Sequence, residues 1–316
     1  MGERVIAVVG PTAAGKSGLA VELALALGGE VINADSMQVY RGMDIGTAKL
    51  TLAERRGVPH HLLDLWDVRQ PANVADYQRL ARWAIDDITA RGRVPILAGG
   101  SGLYVRGALE DLAFPGTDPA VRARLEAELE RDGAAALHTR LAGLDPAAAQ
   151  AVLPSNGRRI VRALEVIELT GRPFTATLPE YAASGPAVQL WLRLPREELD
   201  RRIGTRVDQM WAAGFEDEVR RLERHGLREG RTASRALGYQ QLLRYLAGES
   251  TSDQAREETA RGTRRLARRQ ESWFRRDPRI TWLDVSGEPD PGHLLDRALA
   301  ALGPAGARAR APQAGR

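Results

Sequence analysis

The sequence predicts an α/β fold in which helices flank a parallel β-sheet and an all-helical lobe is inserted between two strands. Two observations carry this prediction. Short apolar runs alternate with amphipathic helical patterns from Val5 to Leu109, which is typical of a parallel sheet wrapped by helices. A stretch with helical patterns alone, 114–186, then separates these runs from two further apolar runs, and this order indicates an insertion into one sheet.

Each predicted element rests on its own apolar spacing and stop signals. The strands are short apolar runs, predicted near Val5–Val9, Val31–Ala34, His61–Leu65, Val94–Ala98, Val188–Leu194 and Ile280–Val285. The helices of the main domain are predicted near Lys16–Leu27, Asn73–Arg91, Ser101–Leu109, Glu197–Trp211, Phe215–His225, Ser234–Leu246 and Asp253–Arg275.

The insert and the two ends complete the predicted organisation. Helices of the insert are predicted over Asp118–Arg131, Gly133–Leu141, Asp145–Val152 and Asn156–Leu169. The main domain is expected to comprise 1–113 and 187–302. The tail 303–316 is rich in Ala, Gly, Pro and Arg and is expected to be disordered. The first strand begins almost at the first residue, so no signal or transit peptide is expected.

Composition excludes several classes of protein. The 316 residues are 43% hydrophobic and 27% charged. The sequence contains no run of eighteen apolar residues, so no membrane span is predicted. Cysteine is absent, which excludes disulfides and thiolate metal sites and is consistent with a reducing cytoplasm. The formal net charge of +4 decides little, but arginine is plentiful and lysine nearly absent. The positions of the arginines are therefore more informative than their number.

The first turn carries a complete phosphate-binding motif, G-x-x-x-x-G-K-[ST], between a predicted strand and a predicted helix. Backbone N–H groups at such a turn converge on one point and bind a di- or triphosphate. Lys16 adds a positive charge there, and the Ser17 hydroxyl is suited to Mg²⁺. The motif consists of Gly10, Pro11, Thr12, Ala13, Ala14, Gly15, Lys16 and Ser17. The predicted fold is thus of the P-loop NTPase type.

Two further candidates follow the ends of predicted strands. Asp35 ends the second strand, and Ser101 follows Gly99 and Gly100 after the fourth. The carboxyl ends of parallel strands face the ligand crevice, so both side chains are expected near the phosphate loop. Each also has a structural interpretation, because aspartate and serine commonly cap helix N-termini.

Three other features favour structural roles on the residues alone. Arg206, on the helix after the fifth strand, is a lid candidate over phosphates, but a surface arginine is the favoured interpretation. His60 and His61 point to opposite faces of a strand and cannot chelate one metal together. The loop from Asp44 to Lys49 has no periodicity, and its composition predicts a surface loop.

A basic stripe lies on the last long helix, where spacings of three and four place arginines largely on one side. It comprises Arg261, Arg264, Arg265, Arg268 and Arg269, with Arg275 and Arg276 beyond them. Such a stripe is typical of a nucleic-acid backbone site. The alternative is a solvated face paired with Glu257, Glu258 and Glu271. A second cluster, Arg158-Arg159-Ile160-Val161-Arg162, opens the last helix of the insert, and two such clusters suit a cleft for RNA.

These pieces together resemble the bacterial tRNA dimethylallyltransferases, the tRNA isopentenyltransferase family. The resemblance runs from about Val5 to Val285 and consists of motifs in a fixed order. They are Gly-Pro-Thr-Ala-Ala-Gly-Lys-Ser (10–17), Asp-Ser-Met-Gln-Val-Tyr (35–40), Asp-Ile-Gly-Thr-Ala-Lys (44–49), Pro-His-His-Leu-Leu-Asp (59–64), Gly-Gly-Ser-Gly-Leu-Tyr (99–104), Arg-Ala-Leu-Glu-Val (162–166), Leu-Gly-Tyr (237–239) and Arg-Arg-Gln-Glu-Ser-Trp-Phe-Arg (268–275). The phosphate loop alone is shared by many NTPases, whereas the ordered set is specific.

The resemblance implies a prenyl transfer. The bound diphosphate would be the leaving group of dimethylallyl diphosphate, and the nucleophile would be N6 of adenosine 37 beside the tRNA anticodon. Asp35 would be the general base, and Ser101 stands where the family usually has threonine. Lys16, Arg206 and Mg²⁺ held at Ser17 would stabilise charge on the diphosphate. Thr12 to Ser17 would line that group.

The resemblance also implies a set of tRNA-binding residues and a monomeric enzyme. The target base must leave its stack to react, so extrusion into the crevice is expected. The residues facing the anticodon arm would be Asp35, Ser36, Met37 and Gln38, then Arg122, then Arg158, Arg159, Ile160, Val161 and Arg162, and then Ser234, Arg235, Ala236, Leu237, Gly238 and Tyr239. The basic stripe adds Arg268 and Arg269 to the expected tRNA-binding residues.

Two rival functions belong to other classes. A small-molecule kinase would explain the phosphate loop and an arginine lid, but it leaves the basic stripe and the insert without a role. A nucleotide-gated RNA-binding protein would need the stripe and no base in the crevice. Whether ATP binds the loop is not decided by the motif.

Overall fold

The computed structural model describes residues 4–174, 181, 185–287 and 291–303, and the chain divides into two compact units. The larger unit comprises Met1–Glu110 and Ala183–Arg316, and the smaller comprises Asp111–Ala182. The predicted insert, 114–186, overlaps the smaller unit and differs from it by a few residues at each end. The predicted disordered tail, 303–316, lies outside the described residues except for Gly303.

The larger unit is built on one parallel sheet, which confirms the predicted fold class. In chain order its strands are β1 (Val5–Val9), β2 (Gly29–Asn33), β3 (His60–His61), β4 (Val94–Gly99), β5 (Ala187–Arg193) and β6 (Ile280–Asp284). Their spatial order is β3-β2-β4-β1-β5-β6. Because β4 lies between β1 and β2, the loops that follow these three strands meet at one edge of the sheet.

Eleven helices are present among the described residues. They are α1 (Lys16–Leu27), α2 (Val74–Ala90), α3 (Gly102–Leu109), α4 (Pro119–Leu144), α5 (Pro146–Ala151), α6 (Gly157–Thr170), α7 (Arg196–Ala212), α8 (Phe215–Arg224), α9 (Tyr239–Leu246), α10 (Ser252–Phe274) and α11 (Pro291–Ala301). The last of these was not predicted. Across the described residues, none of these helices is both long enough and apolar enough to span a bilayer.

The sheet is buried on both faces, as the all-apolar sequence of β1 requires. Val5, Ala7 and Val9 pack into one hydrophobic cluster with α2 and α3, while Ile6 and Val8 pack into a second cluster with α1 and α11. Successive side chains of a strand point to opposite faces, so one short run contributes to both cores. Each fully buried valine contributes roughly 1.5–3 kcal/mol.

Two predicted elements are shorter than expected, and local backbone geometry explains both. The strand predicted over His61–Leu65 ends at His61, because Leu62 and Asp64 adopt left-handed conformations (φ 63° and 56°). The helix predicted from Ser234 begins only at Tyr239, because Gly238 has φ 89° and interrupts it. A single 3₁₀ turn, Ala233–Arg235, precedes that break.

The smaller unit has its own hydrophobic core, formed by α4, α5 and α6. Leu125, Leu137, Leu141, Ile160 and Leu164 are buried together in it. The predicted break between two helices near Gly133 is confirmed, since this residue leaves helical geometry (φ 81°, ψ 164°) inside α4.

Candidate active site

The phosphate loop joins β1 to α1, and its residues line one small cavity. Gly15 (φ 93°) turns the chain into α1, whose exposed N-terminal N–H groups attract an anion. The Lys16 ammonium donates a hydrogen bond to the carbonyl of Pro11 at 2.7 Å, so it folds back over the loop. The cavity, of about 130 Å³ and here called the phosphate cavity, is lined by Thr12, Ala13, Gly15, Lys16, Ser17, Gly18, Asp35, Gln38, Thr47, Ala48, Leu50, Ala98, Gly99 and Arg206.

Asp35 lies at the same edge, directly after β2, and its backbone is held by a buried neighbour. The Asn33 side chain accepts a hydrogen bond from the Asp35 N–H at 2.9 Å and donates one to the Asp35 carbonyl at 3.0 Å. Among the described residues, the Asp35 carboxylate accepts one hydrogen bond, from the Met37 N–H at 2.8 Å. No helix begins after Asp35, so the interpretation of its side chain as a helix cap is wrong. The contact with Met37 forms a turn, and Asp35 also lines the phosphate cavity. Sequence reasoning did not identify Asn33.

Ser101 follows β4 and contacts the segment that carries Asp35. Its hydroxyl accepts a hydrogen bond from the Ser36 N–H at 3.1 Å and donates to the Ser36 hydroxyl at 3.2 Å. Although Ser101 precedes α3, its side chain makes no cap hydrogen bond to that helix. The capping alternative for its side chain is therefore wrong. The β4 loop approaches β2 closely, because a Cβ at Gly99 would clash with the backbone of Ala34.

Arg206 of α7 is half-buried and lines the phosphate cavity. The favoured interpretation as a surface arginine is thus wrong. Burial lowers the pKa of Arg206, and the negative charge of Asp35 opposes this shift. Burial also lowers the pKa of Lys16 to about 8, and the charge of Arg206 adds to this, while Asp35 acts in the opposite direction. Two cations crowded beside one carboxylate favour the entry of an anion.

A second cavity of about 640 Å³, here called the large cavity, shares Thr12, Lys16, Asp35 and Arg206 with the phosphate cavity. Its other walls come from α7, α9, α10 and the loops after β2 and β4. They include Met37, Ser101, Ile203, Val207, Met210, Leu237, Tyr239, Leu266, Arg269, Gln270 and Trp273. The Asp35 carboxylate thus stands where a space for phosphates meets a larger, mostly apolar space.

The loop from Asp44 to Lys49 is not the free surface loop that its composition predicted. Lys49 is buried and its ammonium lies 2.7 Å from the carboxylates of both Asp44 and Asp64. The buried carboxylate of Glu218 on α8 accepts hydrogen bonds from the N–H groups of Asp44, Ile45 and Gly46 and from the Tyr239 hydroxyl. These contacts hold Gly46 and Thr47 as a wall of the large cavity. Sequence reasoning did not identify Glu218.

The arginines of α10 are not neutralised as the alternative required. Glu258 pairs with Arg244 of α9 at 3.1 Å, and Glu271 pairs with Arg275 at 2.5 Å. In the part of the chain that the structure describes, the arginines of the stripe make no ion pair, and four of them are exposed. These four are Arg261, Arg265, Arg268 and Arg269. Their positive charge is therefore available to a polyanion.

The predicted tRNA-binding residues of the smaller unit divide into surface and interior positions. Arg158 and Arg159 are exposed, whereas Ile160 and Val161 are buried in the core of the unit, so their side chains do not reach a ligand. Arg122 and Arg162 both pair with the buried carboxylate of Glu165. Arg162 also donates to the carbonyls of Pro115 and Gly116.

The predicted segment Ser234–Tyr239 is divided in the same way. Arg235 is exposed and lines the large cavity. Ala236 is buried but also lines that cavity, as does Leu237. Tyr239 is fully buried and donates its hydroxyl hydrogen bond to Glu218 at 2.6 Å, so its part is to support the wall.

The two histidines have separate structural partners, as predicted. His60 contacts the Val58 carbonyl at 2.9 Å, and His61 lies 2.7 Å from the carboxylate of Glu30. Burial lowers the pKa of His60. Among the described residues there is no cluster of three or more histidines or acids that would hold a metal ion.

The comparisons with known proteins identify the family of the chain. The family model described as IPP transferase matches residues 38–277. A tRNA dimethylallyltransferase of Thermobifida fusca is 69% identical over 301 residues, which cover 94% of this chain and 93% of that relative. One of Streptomyces coelicolor is 70% identical over 280 residues, covering 89% of this chain and 90% of the relative.

Solved structures give the same assignment. The full-length tRNA isopentenylpyrophosphate transferase of Bacillus halodurans is 41% identical, with a TM-score of 0.71, and the match covers 97% of this chain and 98% of that one. A eukaryotic dimethylallyltransferase captured acting on tRNA is 28% identical, with a TM-score of 0.76 over 90% of this chain and 74% of its own. By sequence along most of its length and by fold, the chain belongs to the IPP transferase family, the family of the tRNA dimethylallyltransferases.

Proposed function

We propose that this chain transfers the dimethylallyl group of dimethylallyl diphosphate to N6 of adenosine 37 in tRNA, and that it does so at Asp35. One observation carries the proposal. The same carboxylate lines the phosphate cavity and the large cavity, so a leaving diphosphate and an incoming base can meet beside it. The large cavity, of about 640 Å³ and mostly apolar, suits an extruded purine and a prenyl tail.

The reaction makes one bond and breaks one. N6 of the adenosine attacks C1 of the prenyl group, the bond from C1 to the diphosphate oxygen breaks, and Asp35 accepts the proton that N6 loses. The diphosphate leaves with the electron pair of the broken bond. Lys16, Arg206 and the loop amides stabilise the charge that builds on it. Ser101 hydrogen-bonds to Ser36 and lines the large cavity, next to the residues that this cavity shares with the phosphate cavity.

Magnesium fits the phosphate cavity through Ser17. The Ser17 hydroxyl lines that cavity and has no hydrogen-bond partner among the described residues. Mg²⁺ takes few protein ligands and completes its shell with phosphate oxygens and water, so one hydroxyl beside a diphosphate is sufficient. The ion would supply further neutralisation of the leaving group. Ser17 would hold it.

The tRNA anticodon arm is the partner that fits the basic surface of α10. Arg268 and Arg269 lie on that helix, and Arg269 also borders the large cavity. Arginine contacts to phosphates would orient the arm while the target base enters the cavity. Arg158 and Arg159 supply a second exposed pair on the smaller unit. We infer a monomer that works in the cytoplasm, where its tRNA substrate is made and used.

The test offers the protein both possible donors. Unmodified tRNA is incubated with Mg²⁺ and either dimethylallyl diphosphate or ATP, and the oligonucleotides released by nuclease digestion are sequenced by mass spectrometry. The proposal predicts N6-dimethylallyladenosine at position 37 with the prenyl donor and no phosphate transfer with ATP. Phosphate transfer without a prenylated nucleoside would replace the proposal with a kinase.

A further inference from the structure

Gln270 of α10 links the phosphate loop to the loop after β4. Its side-chain oxygen accepts a hydrogen bond from the Thr12 N–H at 3.1 Å, and its side-chain nitrogen donates one to the Gly100 carbonyl at 3.0 Å. Both partners are backbone groups, far from Gln270 in the sequence. A single side chain therefore holds two loops of the active site against one helix.

The packing around this contact is tight. A Cβ at Gly100 would clash with the Gln270 amide, and a Cβ at Gly102 would clash with the Trp273 ring. Gln270 and Trp273 are three positions apart, so they lie on the same side of α10 and face the same loop. The end of α10 is thus seated directly on the loop that carries Ser101.

Of the neighbouring arginines, Arg268 lies on the opposite side of the helix, whereas Arg269 lies beside Trp273 at the border of the large cavity. Arg268 and Arg269 are exposed and unpaired within the described residues, so a polyanion that binds them acts on the turn of helix that carries Gln270. An α-helix is stiff over one turn because its backbone hydrogen bonds hold each residue to the fourth along. A displacement of this turn would therefore move Gln270 and, through its two hydrogen bonds, the backbone at Thr12 and Gly100.

We propose that Gln270 is a positioning residue that couples tRNA binding on α10 to diphosphate binding in the phosphate loop. In this role the Thr12 N–H belongs to the contact with Gln270, and the diphosphate uses the amides that follow it. When tRNA holds α10, Gln270 holds the loop in its binding geometry, so each ligand increases the affinity for the other. This inference rests on the proposed function, because tRNA must bind α10.

The experiment measures that coupling as a ratio of affinities. The dissociation constant of inorganic pyrophosphate with Mg²⁺ is determined by calorimetry, with and without an unmodified anticodon stem-loop. We expect at least about fivefold tighter binding in the presence of the stem-loop for the parent protein, the lower range of typical couplings. Gln270→Met keeps the length of the side chain but removes both hydrogen bonds, and its ratio should be close to one.

Two further variants separate coupling from general damage. Gln270→Glu retains the acceptor for Thr12 but cannot donate to Gly100, so its ratio should also fall. Gln150→Ala removes the same kind of side chain from an exposed position of α5 that lines neither cavity, and its ratio should equal that of the parent. Thermal unfolding of every variant shows which of them are folded.

The outcomes distinguish this inference from the proposed function. A folded Gln270 variant with the parent ratio, or a parent ratio of one while both ligands bind, would overturn the coupling and leave the transfer reaction intact. If the stem-loop fails to bind the parent protein and no prenylated adenosine forms, the proposed function falls, and the coupling falls with it.

Discussion

Asp35 owes its position to the buried side chain of Asn33, which holds its backbone on both sides. This arrangement leaves the carboxylate with one hydrogen bond, from the Met37 N–H, and with two cations nearby, Lys16 and Arg206. A carboxylate in this position can accept a proton while a diphosphate pairs with the two cations. Its role is therefore chemical as well as structural.

Asp35→Asn tests that role with little change in shape. The amide oxygen can still accept the hydrogen bond from Met37, but the side chain can no longer take a proton. We expect prenyl transfer to fall by about 10²-fold or more, the typical share of a general base. The stem-loop should bind the variant as it binds the parent protein. Transfer at the parental rate would show that another group accepts the proton.

The lowered pKa of Lys16 predicts that anion binding depends on pH. Its pKa is lowered to about 8 in the free protein, so the side chain is charged below that pH and loses its charge as the pH rises. The affinity for pyrophosphate should then fall by up to about tenfold for each pH unit above the pKa. Lys16→Arg keeps the charge and should flatten this profile, as measured by calorimetry. Parallel profiles for the two proteins would contradict the assignment.

The phosphate loop and Asp35 could be predicted from the sequence because their signals are local. The loop is a contiguous motif, and Asp35 directly follows an apolar run. Asn33, Glu218 and Gln270 could not be predicted, because each acts on a backbone group whose position depends on the folded chain. Burial of Arg206 likewise depends on how α7 packs over the sheet edge, and its own helix carries no sign of it.

At the scale of the elements, α10 has two working faces. One face seats Gln270 and Trp273 on the loop after β4, and the other exposes Arg261, Arg265 and Arg268. Arg269 lies between the two faces, at the border of the large cavity. The sequence spacing predicted the stripe, but it could not show whether the acids of the same helix neutralise it. The structure answers this, because Glu258 and Glu271 pair with Arg244 and Arg275.

Removal of two stripe arginines should weaken tRNA binding in a salt-dependent way. If Arg268 and Arg269 each contact a phosphate, Arg268→Ala/Arg269→Ala should lower the slope of log affinity against log salt by about 1.5–2. Filter binding at a series of salt concentrations measures this slope. The control, Arg220→Ala/Arg224→Ala on α8, removes the same charge from another helix and should change the slope less. Equal slopes for the parent and the stripe variant would make the stripe a solvated surface.

The loop from Asp44 to Lys49 depends on a close approach at Gly46. A Cβ there would clash with the rings of Phe215 and Tyr239, so Gly46→Ala should lower the free energy of unfolding by about 1–3 kcal/mol. Gly204→Ala, inside α7 with room for a methyl group, should instead raise it by up to about 1 kcal/mol. Urea unfolding measures the free energy of unfolding of both variants. A Gly46→Ala variant as stable as the parent protein would contradict the close packing at Gly46.

At the scale of the whole molecule, the strand order explains why distant motifs form one site. The chain visits β1, β2 and β4 in turn, and the sheet places β4 between the other two. The turns after these strands carry the phosphate loop, Asp35 and Ser101 to one edge. The alternation of strands and helices predicted a parallel sheet, whereas the order of its strands is a property of the fold. The site could be expected at this edge only because ligands generally bind at the carboxyl ends of the strands in a parallel sheet.

The central claim is that one carboxylate stands between a bound diphosphate and an extruded purine. A crystal structure of the protein with an unreactive analogue of dimethylallyl diphosphate and an unmodified anticodon stem-loop tests it most directly. The account predicts the diphosphate at residues 10–17 and the Asp35 carboxylate within about 2.6–3.2 Å of N6 of adenosine 37. An Asp35 side chain turned away from that nitrogen, with the adenosine still stacked in its loop, would contradict it.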